Sequence, residues 1–230
     1  LLICVGSVVL ASHFEYLDAT LAAALIALSI GLLGVFQKIL LSIFIHPELK
    51  VELRTYPPDS HKTTLTVTAN NAQIAFDTYY YRLNVENKGN VRAENVEVFL
   101  MEKSEMIGNN FVKNNSFLPL NLRWSHSGEI TKKSIAPNLF KNCDFGHIND
   151  PHYSHYQGGT RGNVCMVFDT EVLPNTGSFI LIPGVYRFKV VVSADNVQSV
   201  IKTFEIDFKN SWTSNQNTIL TNNFLVKNVS

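Results

Sequence analysis

The fold of this chain is decided by residues 76–102, which read FDTYYYRLNVENKGNVRAENVEVFLME. Alternation of apolar and polar positions is typical of half-buried β-strands, whose successive side chains point to opposite faces. The alternating apolar positions are Tyr79, Tyr81, Leu83, Val85, Val96, Val98 and Leu100. Between the two runs, Lys88-Gly89-Asn90 supplies residues that tolerate positive φ, as a tight hairpin requires. The stretch therefore predicts two paired antiparallel strands.

The same alternation extends in both directions from this stretch. Further strands are predicted over 49–54, 63–68, 164–172, 179–182, 184–194 and 199–208. No helical period of useful length follows Ile45, so the body reads as mainly β, and an antiparallel β-sandwich over 46–209 buries its apolar faces. The tail, 210–230, is rich in Asn and carries only Lys227 as a charge, which favours partial disorder, with an added edge strand over 223–229 as the alternative.

Composition excludes two classes of protein. The 230 residues include 19 Lys and Arg against 19 Asp and Glu, so no net positive charge favours nucleic acid as a partner. The hydrophobic fraction of 46% is too high for an intrinsically disordered chain, which lacks the apolar surface to offset its ordering entropy. A folded protein that does not bind nucleic acid is expected.

The first 45 residues differ sharply from the rest, because their only charged side chains are Glu15, Asp18 and Lys38. A bilayer core takes about 20 helical residues, and 19–45 is long and apolar enough to predict a transmembrane helix. The shorter apolar run 1–12 reads as a truncated first helix, so 1–45 predicts a helical hairpin in the lipid bilayer. The alternatives for this region are the tail of a signal peptide and a buried hairpin of a soluble protein.

The orientation of the predicted hairpin follows from its flanking cations. Lys38, Lys50 and Arg54 lie at or after the second helix, and the connection between the helices has no Lys or Arg. Cationic flanks stay on the cytoplasmic side of a membrane. The sequence therefore predicts an integral membrane protein whose β domain is cytoplasmic.

The central stretch also resembles a known family. The residues that carry the resemblance are Asn87, Gly89, Ala93, Asn95, Val96 and Val98. They are arranged as in the paired central strands of bacterial and archaeal immunoglobulin-like modules of the CARDB and fibronectin-like groups, and 184–194 is similar to the penultimate strand of those modules. The resemblance covers about 60 residues and implies an immunoglobulin-like scaffold without specifying a function. Insertions at 103–133 and 141–162 depart from a minimal module and are the better place to look for function.

The second insertion contains a possible metal site. Its candidate ligands are Cys143, His147, His152 and His155, all residue types that bind Zn²⁺. Their spacing matches no standard closed zinc motif. The other interpretations are a surface loop whose His and Tyr side chains cap backbone groups, and a strand whose core side is filled by Cys143 and Phe145.

Three further residues are candidates for ligand binding. Arg123 and Trp124 place a cation beside a large aromatic ring, as binding hot spots often do, although a core Trp explains the pair equally well. Arg161 lies in a Gly-rich segment that resembles a phosphate-binding loop but lacks its Lys and helix. No G-x-S-x-G elbow or other catalytic motif is present, so neither enzymatic activity nor a cofactor is expected.

These observations predict a membrane-anchored binding protein whose β-sandwich engages a protein or small ligand at the cytoplasmic face, with possible homo-oligomers. Three alternatives stay open. An extracytoplasmic adhesion or envelope module would be favoured by a disulfide between Cys143 and Cys165 or by glycosylation at the sequons that begin at Asn114 and Asn228. A sensor-effector would rearrange its helices and perturb the bilayer, and a metal-dependent hydrolase would use the His-rich loop.

Overall fold

A computed structural model describes residues 19–229 of the chain. The chain divides into two compact units, and the boundary falls between His46 and Pro47. The first unit contains one described helix, and the second contains every described β-strand.

Helix α1 spans Ala19–Phe44. Its sequence is rich in Ala and Leu, which are strong helix formers, and Pro47 follows soon after its end. Large apolar side chains are exposed along it at Leu21, Leu25, Ile26, Leu28, Ile30, Leu32, Val35, Phe36 and Ile39. The span predicted over 19–45 is not borne out among the described residues, where no helix is both long and apolar enough to cross a membrane. The predicted first helix, 1–12, lies outside the described residues.

The second unit is built from short and long strands joined mostly by turns. The strands are β1 (Leu49–Leu53), β2 (Ser60–Ala69), β3 (Ala72–Asn87), β4 (Ala93–Ile107), β5 (Asn110–Lys113), β6 (Leu120–Asn121), β7 (Thr131–Ile135), β8 (Phe140–Asn149), β9 (Met166–Phe168), β10 (Ile180–Leu181), β11 (Gly184–Ala194), β12 (Val197–Phe208) and β13 (Phe224–Val229). A 3₁₀ turn covers Ser154–Gln157, and a short α-helical turn, Gln216–Thr218, continues into a π-helical turn, Ile219–Asn223.

The strands form two antiparallel sheets. Sheet A has the order β1-β3-β8-β9-β10. Strand β2 pairs with the first part of β3, and β1 pairs with the last part of β3 on the same edge. Sheet B has the order β13-β12-β11-β4-β5, and β6 and β7 also pair with β4. One buried cluster includes Tyr81 and Leu83 from sheet A together with Val98 and Phe188 from sheet B. The mainly β, antiparallel architecture is confirmed and is consistent with a β-sandwich.

The hairpin predicted at Lys88-Gly89-Asn90 is wrong. Strand β3 belongs to sheet A and β4 to sheet B, so the connection after Asn87 passes from one sheet to the other. Asp195 and Asn196 form the turn that joins the antiparallel pair β11 and β12.

Two segments are more ordered than the sequence pattern indicates. The expected insertion 141–162 contains most of β8, which lies at the centre of sheet A between β3 and β9. The expected disordered tail instead adds β13 to the edge of sheet B, and Ile219, Leu220 and Phe224 fix it in the core.

Candidate ligand-binding site

The outer face of sheet A, which points away from the core, carries an unusual concentration of polar side chains. Alternation along β3 buries Tyr79, Tyr81 and Leu83 and turns Tyr80 and Arg82 to the outer face. Their cross-strand partners on this face are His61 from β2, opposite Tyr80, and His147 and Asp144 from β8, opposite Tyr80 and Arg82.

A β-bulge places the β8 residues on that face. The register of β3 against β8 shifts between Tyr81 and Arg82, which leaves Phe145 as the extra residue on β8. Cys143, Phe145 and Ile148 all enter the core as a result. Strict alternation from Cys143 would have turned His147 inward, so the bulge puts its imidazole on the outer face.

His147 and Asp169 form a hydrogen-bonded pair. The Nδ1 atom of His147 lies 3.0 Å from Oδ2 of Asp169, and His147 is only 4% exposed. The Tyr80 ring packs 5.1 Å from the imidazole between centroids. Because a carboxylate accepts, Nδ1 is the donor of this pair, which in the neutral imidazole leaves Nε2 as an acceptor. Nε2 is buried and has no partner among the described residues.

A second ionic group stands beside this pair. The carboxylate of Asp144 accepts hydrogen bonds from Ser125 Oγ at 2.6 Å and from Arg82 Nε at 2.9 Å. Burial, together with the nearby charge of Asp169, raises the pKa of Asp144 despite these two donors. Burial and the charges of Asp169 and Asp144 also raise the pKa of Tyr80 to about 12, so its phenol stays protonated.

His61 adds a second imidazole with an unpartnered buried atom. Its Nδ1 has no hydrogen-bond partner among the residues that the structure describes. Burial and the charge of Arg82 lower the pKa of His61. Two imidazole nitrogens on the outer face of sheet A are therefore left without a protein partner.

His147 and Asp169 line a cleft of about 240 Å³, which we call the His147 cleft. The 3₁₀ turn and the strand ends supply its remaining walls. The lining residues are Arg123, His147, Tyr156, Gln157, Gly158, Val167, Phe168, Asp169, Thr170, Leu173 and Phe179. A concave, partly apolar site with a few convergent polar groups is the usual form of a small-molecule site.

Of the three predicted ligand-binding residues, one lines this cleft. The guanidinium of Arg123 donates to the carbonyls of Gly128, Thr170 and Glu171, which fix the wall of the cleft. Trp124 instead lies in the core, where its Nε1 donates to the carbonyls of Val96 and Ile130. Arg161 is exposed in the segment after the 3₁₀ turn and does not line the cleft.

The four predicted metal ligands are not brought together. Cys143 faces the core, where burial raises its pKa, whereas His147 faces the opposite side of the sheet. His152 is exposed and pairs with Asp150, and the exposed His155 packs against the Tyr156 ring at a tilt of 36°. Within 19–229 no three His, Cys, Asp or Glu side chains are placed to hold a metal ion.

The disulfide considered for Cys143 and Cys165 is not formed, since both are buried free thiols. The Sγ of Cys143 donates to the carbonyl of Arg123 at 3.3 Å, and burial raises the pKa of both cysteines. Neither thiol has the lowered pKa of a reactive cysteine.

The sequence interpretation missed His61, Tyr80, Arg82, Asp144 and Asp169 as members of one cluster. Alternation along β3 was sufficient to turn Tyr80 and Arg82 away from the core. Nothing in the pattern joined them to Asp169, which follows β9.

No protein-family model matches the chain, and no curated protein matches it.

Proposed function

We propose that this chain is a membrane-anchored binding protein whose β unit holds a small ligand in the His147 cleft. The observation that carries the proposal is the buried Nε2 of His147, which has no hydrogen-bond partner among residues 19–229 although His147 lines the cleft. A buried polar atom left unpaired costs about 1–3 kcal/mol, so a ligand that donates to it gains that energy.

Binding explains the arrangement better than nucleophilic catalysis. The Ser125 hydroxyl donates to Asp144 rather than to an imidazole. Cys143 faces the core with a raised pKa. Among the described residues His147 Nε2 contacts no hydroxyl or thiol, whereas an activated nucleophile requires such a contact.

The membrane anchor is supported by the first 45 residues. Only three of them are charged, and α1 exposes large apolar side chains between Leu21 and Ile39. An apolar surface of this kind is stabilised by lipid or by a second apolar surface. The cations Lys38, Lys50 and Arg54 favour the cytoplasmic face for the β unit.

The scaffold proposed for the β unit is immunoglobulin-like. The two antiparallel sheets agree with that architecture, and the sequence resemblance at 87–96 supports it. Ligand sites on such scaffolds lie on loops and sheet faces that vary between proteins.

A ligand screen tests the proposed function. The full chain in detergent is screened by thermal shift against a metabolite library, in parallel with His147→Gln. The matched control is His152→Gln, because His152 also pairs its Nδ1 with an aspartate, Asp150, at 3.1 Å but is exposed. We expect at least one compound that stabilises the wild type and His152→Gln but not His147→Gln. If every stabilising compound acts equally on all three proteins, the His147 cleft is not the ligand site.

A further inference from the structure

We infer that the His147 cleft is selective for a small, neutral ligand rich in hydroxyl groups, such as a sugar or another polyol. This inference rests on the proposed function and specifies the ligand class of the same site. It is carried by three features of the cleft: its charge, its hydrogen-bonding polarity and its size.

The charges that line the cleft are balanced. Among its lining residues only Arg123 and Asp169 are permanently ionic, and their charges are opposite. Arg123 already donates to three backbone carbonyls, and Arg82 is held by Asp144. An anionic ligand would meet Asp169 with no uncommitted cation in the lining, and a cationic ligand would meet Arg123. A neutral ligand avoids both repulsions.

Two of the lining side chains offer hydrogen-bond acceptors. His147 Nε2 accepts when Nδ1 donates to Asp169, and the carboxylate of Asp169 offers only acceptor oxygens. Gln157 adds an amide that both donates and accepts. A ligand that satisfies this set must donate at least two hydrogen bonds while staying uncharged, which is the property of adjacent hydroxyl groups.

The size and walls of the cleft fit a single ring or a short polyol. Its volume of about 240 Å³ lies just below the roughly 300–1,000 Å³ range of drug-sized pockets. Tyr156, Phe179 and Leu173 provide apolar surface against which C–H groups pack. Gly158 is tightly placed, because a Cβ there would lie 3.1 Å from the Phe179 ring.

The test uses saturation-transfer NMR on the full chain in detergent micelles. The neutral probes are D-glucose, D-ribose, myo-inositol and glycerol, and the charged probes of matched size are D-glucosamine and D-glucuronate. We expect at least one neutral probe to bind and both charged probes to bind more weakly. His147→Gln and Asp169→Asn should each weaken the neutral probe about tenfold, as expected when a ligand hydrogen bond is lost. His152→Gln and Asp150→Asn should leave binding unchanged, and circular dichroism confirms that each variant is folded.

Three results would overturn the inference. The first is that none of the neutral probes binds, and the second is that a neutral probe binds equally to wild type and His147→Gln. The third is that only a charged probe binds in a His147-dependent manner, in which case the proposed binding function stands and the ligand class is wrong. The thermal-shift screen decides the proposed function separately, because it is not restricted to polyols.

Discussion

Asn87 is fully buried, and its side chain makes four hydrogen bonds. Its Oδ1 accepts from the backbone N–H groups of Glu48 and Gly89, and its Nδ2 donates to the carbonyls of Val91 and Ile135. The amide therefore joins the start of β1, the crossing from sheet A to sheet B and the end of β7. Asn87 and Gly89 therefore lie in a connection between the two sheets and not in a hairpin.

Asn87→Asp should destabilise the β unit by about 3 kcal/mol or more, because a buried carboxylate would replace the amide and face two carbonyls. The matched control is Asn84→Asp, since Asn84 is also buried but makes one hydrogen bond of 3.3 Å, to Asn142. Urea unfolding followed by circular dichroism measures both changes. An equal loss in the two variants would show that burial of charge, and not the network around Asn87, determines the cost.

His61 should titrate below its ordinary pKa of 6.5, since burial and Arg82 both lower it. Asp144 raises the pKa of His61, so Asp144→Asn should lower it further. Side-chain NMR titration of the full chain measures both values. A pKa of His61 above 6.5 in the wild type would contradict the account.

This shift also gives the β unit a pH dependence. The unfolded chain binds the proton of His61 more readily than the folded chain does, so stability declines as pH falls from 6.5 towards the lowered folded pKa. His61→Gln should remove that part of the decline, and His152→Gln should not. Urea midpoints measured at a series of pH values provide the comparison.

At the scale of elements, β8 shows where a sequence pattern fails. Strict alternation predicts β3, β11 and β12 well, because their inward positions repeat without interruption over the buried part. In β8 the extra residue Phe145 breaks the alternation, so the segment reads as a loop. The same bulge turns His147 outward, so the site could not be predicted from local sequence alone.

The turn between β2 and β3 is a second instructive element. Asn70 and Asn71 both have positive φ, of 51° and 63°, which is the geometry of a type I′ turn. The sequence pattern predicted strands on both sides but gave β2 only as 63–68. The paired hairpin is longer, extending from Ser60 to the turn.

Asn71→Gly should stabilise the β unit by several tenths of a kcal/mol, because glycine adopts positive φ without steric cost. Asn71→Ala should instead cost about 1 kcal/mol, since a Cβ without a polar side chain disfavours the left-handed region. Thermal unfolding of the two variants and the wild type measures the order of stability. If Asn71→Ala were more stable than Asn71→Gly, the positive φ at this turn position would be contradicted.

At the scale of the whole molecule, the division into a charge-poor first segment and a β body is visible in composition alone, and the structure places a unit boundary after His46. The partition of strands between two sheets was not predictable from alternation. Alternation identifies which side of a strand is buried but not which strand lies next to it. The cluster of His61, Asp144, His147 and Asp169 depends on that partition, and this explains why it was missed.

The full chain should float with liposomes in a density gradient, because its first unit exposes apolar side chains along α1. The double substitution Leu28→Lys with Leu32→Lys should abolish flotation. Ile107→Lys with Ile201→Lys is the matched control, since these exposed residues belong to the β unit. If flotation survives the α1 substitutions and is lost in the control variant, the β unit and not α1 contacts the lipid.

The proposed binding function requires that His147 presents its Nε2 to a ligand in the cleft. Its most direct test is side-chain ¹⁵N NMR of the histidine-labelled full chain, titrated with a compound that stabilises the wild type in the thermal-shift screen. We expect His147 to carry its proton on Nδ1 in the neutral ring, and its Nε2 resonance to shift on binding while those of His152 do not. A His147 resonance that stays unchanged at saturating ligand would contradict the account.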